Sequence, residues 1–211
     1  MINRRILLAG ACALACATGG GAIAIAGDEG AEPAPVPEAE AAEAQPVTEV
    51  PAEQAEQIAQ LDREQTADDS LPTTWEEELT EGDDADELWG ANPDLARRTG
   101  PGVWVMPGDG YVCLANTTPG EGNLGFSCAT PDDVERGLLA PTDVDANGNG
   151  IVTGVLPDGV AEVTLVDKDG TTRTAPVERN TYRAAIDAKL KEVRFTDAHG
   201  GQHVLPMAWA E

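Results

Sequence analysis

From Gly100 onward the chain is cut into short apolar runs by turn residues about every eight to twelve positions, and this spacing restricts its fold more than any other feature. Val103-Trp104-Val105-Met106 and Tyr111-Val112-Cys113-Leu114 flank the turn Pro107-Gly108-Asp109-Gly110. Further strands are expected near residues 124–129, 151–156, 160–166, 171–177, 181–186, 192–196 and 202–207. Pro157-Asp158-Gly159, Asp167-Lys168-Asp169-Gly170 and Asp197-Ala198-His199-Gly200-Gly201 supply turns between them. Ala161, Val163 and Leu165 alternate to one face, as do Tyr182, Ala184 and Ile186. The pattern predicts a mainly β domain over residues 101–211, of sandwich or barrel-like type. Thr130-Pro131-Asp132-Asp133-Val134-Glu135-Arg136-Gly137 interrupts it as a short helix, capped by Thr130 and stopped by Gly137.

The N-terminus predicts export. Arg4 and Arg5 precede an apolar run, and Ala24-Ile25-Ala26 stands just before Gly27-Asp28-Glu29, as signal peptidase requires. Residues 1–26 are therefore read as a signal peptide cut after Ala26. Two alternatives stay open. Residues 6–26 are long enough to span a bilayer if uncut, although Gly19-Gly20-Gly21 weakens them as a helix. Ala13-Leu14-Ala15-Cys16 is similar to a bacterial lipobox, which would lipidate Cys16. Contact with a membrane is expected only through such an anchor.

Removal of the signal leaves two cysteines, Cys113 and Cys128. An even number in an exported chain reads as one disulfide. A reactive thiolate needs a basic neighbour, and neither cysteine has one nearby in sequence. Placing Cys113 opposite Cys128 centres a hairpin on Gly120-Glu121, beside Pro119, where turn residues belong.

Between signal and strands the composition changes. Residues 27–71 are rich in Ala, Glu, Pro and Gln and poor in large apolar residues, so they read as a disordered acidic linker. Ile58 and Leu61, three apart, make too thin a stripe to hold a helix without a partner. Over residues 72–100 short helices are expected. Thr74-Trp75-Glu76-Glu77 is a capping-box pattern. Asn92-Pro93-Asp94-Leu95-Ala96-Arg97-Arg98-Thr99-Gly100 reads as a helix with its N-cap, N1 proline and C-terminal arginines in place. Trp75, Leu79, Leu88, Trp89 and Leu95 would be the anchors that dock on the β domain.

Gly154-Val155-Leu156-Pro157-Asp158-Gly159-Val160-Ala161-Glu162-Val163-Thr164-Leu165, Asp169-Gly170-Thr171 and Asn180-Thr181-Tyr182-Arg183-Ala184 resemble uncharacterised exported proteins of high-GC Gram-positive (actinobacterial) bacteria. Ala91-Asn92-Pro93-Asp94-Leu95-Ala96-Arg97-Arg98 and the hairpin from Trp104 to Leu114 look similar too. The resemblance covers roughly residues 91–204. It consists of turn and strand patterns, so it implies a fold and an exported location, and no catalytic residue or cofactor.

The formal net charge is −25, and every acid follows the signal. Such a chain repels phosphate backbones, so no nucleic-acid partner is expected. Asp143, Asp145 and Asn147 match the first half of a calcium loop, with glycine at the sixth position. The second half fails: Gly154 stands where a bidentate Glu belongs, and the flanks are not helical. The segment is read as an Asn-Gly hairpin with no metal site. His199 and His203 are separated by Gly200-Gly201, so they read as a turn and a strand histidine. Glu192 and Asp197 lie near them in sequence, but nothing in the spacing joins them. Ser70 and Ser127 are the serines available as nucleophiles, and neither sits in a nucleophile motif. No catalytic residue, metal or cofactor is assigned. The expected function is an exported, non-enzymatic binding or structural module of the cell envelope with an undetermined partner. An extracellular enzyme of unrecognised type is the alternative.

Overall fold

The strand pattern is present, and its first sheet starts before Gly100. The computed structural model describes residues 46–75, 79, 89–117, 124–137, 139–140, 142–145 and 149–207, and all of them fall in the unit Ala41–Glu211. The protein is mainly β, with antiparallel sheets and a few short helices. Among the described residues no helix is long and apolar enough to cross a membrane. The signal peptide expected over residues 1–26 lies outside the described residues.

The first sheet is a meander of β1 (Arg97–Gly100), β2 (Val103–Pro107), β3 (Val112–Thr117) and β4 (Leu124–Ala129), in that order. β2, and β3 as far as Asn116, are buried without alternation, which in a strand means that both faces are covered. Val103, Val105, Val112 and Leu114 point to one face and pack with Ile58, Leu61, Val134, Leu139 and Val155. Trp104, Met106, Cys113 and Ala115 point to the other and pack with Leu71, Leu79, Ala91 and Ala96. Cys113 stands directly opposite Cys128, Cα to Cα 4.0 Å, and the two are bonded. The register runs from Val112 opposite Ala129 to Thr117 opposite Leu124, as the disulfide requires. The expected turn at Gly120-Glu121 lies outside the described residues.

The cover of the first face corrects the linker expected over residues 27–71. Residues 46–71 belong to the fold; residues 27–45 lie outside the described residues. α1 (Ala52–Gln57) and α2 (Ala59–Asp62) carry Ile58 and Leu61 into the core, 0% and 1% exposed. The missing partner of that thin stripe is the sheet itself. Glutamines at spacing three then tie the segment down. Gln54 Nε2 donates to Gly108 O at 2.9 Å, Gln57 Nε2 to Pro131 O at 2.8 Å and Gln60 Nε2 to Arg98 O at 2.9 Å. The Asp158 carboxylate accepts from Ala59 N at 2.9 Å, and Asn180 Oδ1 accepts from Gln60 N at 3.1 Å. An amide that donates to a buried carbonyl satisfies it, so polar residues serve here as docking residues.

The helices expected over residues 72–100 are also revised. Asn92 does cap a turn, with Asp94 N donating to its Oδ1 at 2.9 Å, but the turn is a 3₁₀ helix limited to Pro93–Leu95. The chain leaves it at Ala96 in extended geometry, and Arg97 and Arg98 enter β1 opposite Val105 and Trp104. Pairing with β2 satisfies their backbones better than a solvent-facing helix end. Trp75 meets Trp104 edge-on at 5.4 Å, and Leu79 is buried, so both dock as expected. Trp89 docks only at the edge: it is 41% exposed at a turn where its φ is +49°, with its ring 6.2 Å from that of Tyr111 and its O accepting from Asp109 N at 3.0 Å. Leu88 and the acidic half of the Thr74 capping box lie outside the described residues.

The remaining strands form two sheets around one core. β5 (Thr142–Val144), β6 (Gly150–Val155) and β9 (Thr181–Ile186) make the first, in the order β5-β6-β9. β7 (Glu162–Asp167), β8 (Thr172–Pro176), β10 (Leu190–Thr196) and β11 (Gln202–Pro206) make the second, in the order β11-β10-β7-β8. Val163, Leu165, Val193, Phe195 and Leu205 meet Val152, Tyr182 and Ile186 between them. α3 (Pro131–Glu135) is capped by Thr130, whose Oγ1 accepts from Asp133 N at 3.2 Å. Two residues, Arg179 and Asn180, turn β8 into β9, both at positive φ, between the bridged pair Glu178 and Thr181.

Candidate functional site

Three pieces of chain distant in sequence meet beside β1. Arg63 follows α2, Arg98 lies in β1, and Arg179 sits at the β8–β9 turn. They line an open cleft of about 460 Å³ together with Gln60, Thr66, Asp68, Asp69, Gly100 and Pro101. In a chain with 13 Lys and Arg against 38 Asp and Glu, three arginines facing two carboxylates make a local reversal of charge.

Asp69 builds the floor. It ends the 3₁₀ helix Ala67–Asp69, and its side chain is 1% exposed. Its Oδ2 accepts from Thr66 N at 2.7 Å, Thr66 Oγ1 at 2.8 Å and Arg63 Nη1 at 2.8 Å. Its Oδ1 accepts from Arg98 N at 2.7 Å and pairs with Arg63 Nη2. Burial alone would raise the pKa of this carboxyl. The hydrogen bonds from Arg63, Thr66 and Arg98 outweigh it and hold the group far below the usual carboxylate range. The bond to Asp69 in turn raises the pKa of Arg63. With its Nη groups also donating to Glu64 O and Arg98 O, Arg63 is largely committed to the framework.

Arg98 and Arg179 are not. The Arg98 Nε donates to Gly100 O at 3.3 Å, and its guanidinium carbon lies 5.6 Å from the centre of the Trp104 ring. That contact sets the guanidinium against the aromatic face, and both of its Nη groups are without a partner among the described residues. Arg179 is exposed, and its guanidinium likewise has no partner among the described residues. On the strand neighbouring position, Arg97 is buried and donates to carbonyl oxygens, those of Arg63 at 3.0 Å, Leu95 at 2.8 Å and Ala96 at 3.2 Å. Burial lowers its pKa, and the Arg63 charge adds to that. The cluster therefore offers planar N–H forks and positive potential to an oxyanion, and it is held on strand, turn and ion pair rather than on a loose loop.

The residues singled out in the sequence lie elsewhere. Cys113 and Cys128 form the disulfide under the second face of the first sheet. Asp143 lies in β5 opposite Ile151, and Asn149 N donates to Asp145 Oδ1 at 3.0 Å, so the segment closes as a hairpin flanked by strands. Asn147 lies outside the described residues. His203 stacks on Phe195 with centroids 4.6 Å apart, and its Nε2 lies 2.7 Å from Asp197 Oδ2. Asp197 also accepts from the backbone of His199 and Gly201, each at 2.8 Å. The bond from His203, then that from Gly201, lowers the Asp197 pKa, so this carboxylate organises its turn. Glu192 is not part of that group and pairs with Arg194. Ser70 lines a separate cleft of about 440 Å³ with Leu71, Pro93 and Asp94, and Ser127 lies in β4 opposite Leu114.

Sequence reading did not find the arginine cleft. One signal was available: Arg179-Asn180 occupies a two-residue hairpin turn, where glycine or asparagine is the cheap choice at each position. Compared with protein families, with curated proteins and with solved structures, the chain has no match.

Proposed function

We propose that this protein is an exported, non-enzymatic module of the cell envelope that binds an acidic ligand through the Arg63–Arg98–Arg179 cleft. One observation carries the reading: Arg98 and Arg179 face a common opening with N–H groups that no described residue uses, on a chain of net charge −25. Unused forks on rigid elements are what oxyanion recognition needs. The disulfide supports an oxidising compartment. The negative charge elsewhere disfavours long polyanions, so nucleic acid remains excluded from the proposal.

Two measurements test it. Intact-mass analysis of the secreted protein should begin at Gly27; an uncut chain or a lipidated Cys16 would make the protein an anchored one. The purified mature protein should be retained by envelope preparations from the native cell, and the Arg98→Ala/Arg179→Ala double variant should be released at lower salt. Equal retention of both proteins would remove the cleft from the binding function.

A further inference from the structure

Resting on that reading, we infer that the cleft takes one carboxylate carried on a neutral or basic peptide, gripped between Arg98 and Arg179. The charge count at the cleft sets the valence. Arg63, Arg98 and Arg179 face Asp68 and Asp69, and Asp69 is already matched by Arg63. Among the side chains that line the cleft one positive charge is left over, which a single oxyanion balances; the neighbouring Arg97 is buried and gives its N–H groups to main-chain carbonyls. A polyanion would lay further charges along a strongly acidic protein and be repelled. A lone carboxylate on an uncharged or basic carrier meets the cleft without that cost. The same cluster already shows how it holds a carboxylate: Asp69 is received by an arginine fork together with backbone N–H groups. A chain-terminal carboxylate presents the same planar pair of oxygens to the forks of Arg98 and Arg179.

Arg179 carries a second mark of function. It sits at φ +51°, in the left-handed region, next to Asn180 at +64°. Asn180 has structural reasons to be there: its Nδ2 donates to Leu156 O at 3.2 Å and Asp158 Oδ1 at 2.7 Å. Arg179 has no such bond among the described residues, and glycine would hold the turn with less strain. A strained side chain kept at the mouth of a cleft is explained by what it touches in the bound state.

The experiment is a calorimetric titration of the intact mature protein with N-acetyl-Gly-Ala-Ala as the free acid, with the same peptide as the C-terminal amide, and with inorganic phosphate. The free acid should bind about tenfold or more tighter than the amide, since the lost contacts are charge-assisted hydrogen bonds. Arg179→Gly should weaken the free acid by about tenfold, while its melting temperature stays level or rises. Arg179→Lys keeps the charge and loses the fork, so it should restore only part of the affinity. Acid and amide binding alike, or neither binding, would overturn the carboxylate inference, and envelope retention would then decide the wider proposal separately. Phosphate binding more tightly than the free acid would keep the anion cleft and overturn the carboxylate. A fall in the melting temperature of Arg179→Gly would show that the arginine serves the turn itself.

Discussion

The side-chain amide of Gln60 donates to the main-chain carbonyl of Arg98 at 2.9 Å, joining the strap formed by residues 46–71 to the first strand of the sheet it covers. The same strap carries Arg63, whose carboxylate partner Asp69 accepts from Arg98 N. Docking of the strap and assembly of the cleft are thus one event. A chain that lost the strap would lose one face of its first core and the cleft together.

Limited proteolysis should show this directly. The resistant fragment is expected to begin near residues 46–51 and to include Ile58 and Leu61, because exposed segments are cut first. Ile58→Ala removes a fully buried side chain and should cost about 2–4 kcal/mol in denaturant unfolding. A resistant fragment starting after residue 71, with no loss of stability in Ile58→Ala, would show that the strap is dispensable.

Replacing Cys113 and Cys128 together by Ala should lower stability by about 2–4 kcal/mol, as expected for a closed loop of this size, without changing the circular dichroism of the fold. Non-reducing peptide mapping of the native protein should yield one linked peptide pair. Two free thiols by titration would contradict the pairing.

Asp69 makes stability fall in acid. Its carboxyl titrates far lower in the folded protein than in the unfolded chain, where it lies near the ordinary value of about 3.9. Its stabilisation is therefore fully present above that value and is lost as pH falls below it toward the folded pKa. Asp69→Asn should destabilise the protein by about 2–4 kcal/mol at neutral pH and flatten the decline below about pH 4. The comparison is made from melting temperatures of wild type and variant across that range, and parallel curves would refute it.

Millimolar calcium should leave the melting temperature nearly unchanged, since Asp145 is engaged by Asn149 N in a hairpin whose flanks are strands. A native-state ligand at a hundred times its dissociation constant stabilises by about 2.7 kcal/mol, so a bound ion would be visible. An upward shift abolished by Asp145→Ala would establish a calcium loop.

Much of the fold is written locally. Strand after strand beyond Val103 follows from apolar runs and turns, because a period of two and a glycine at a turn are properties of a few neighbouring residues. The Cys113–Cys128 pair follows from the turn chemistry between them and from the lack of any other cysteine after the signal. Even Thr130 and Gly137 mark the ends of their helix. Gln54, Gln57 and Gln60 are different: as glutamines in an Ala/Glu/Pro stretch they carry no burial signal, and they become docking residues only against the carbonyls of Gly108, Pro131 and Arg98. Ile58 and Leu61 were too few to predict a helix, and the sheet face made of Val103, Val105, Val112 and Leu114 is what gives them a partner. Arg97 and Arg98 read as a helix end until β2 offers its backbone, since strand pairing is decided by a neighbour distant along the chain. The cleft is the extreme case: Arg63, Arg98 and Arg179 are separated by 35 residues or more, and only the folding of strap, strand and turn onto one edge turns three isolated charges into one field.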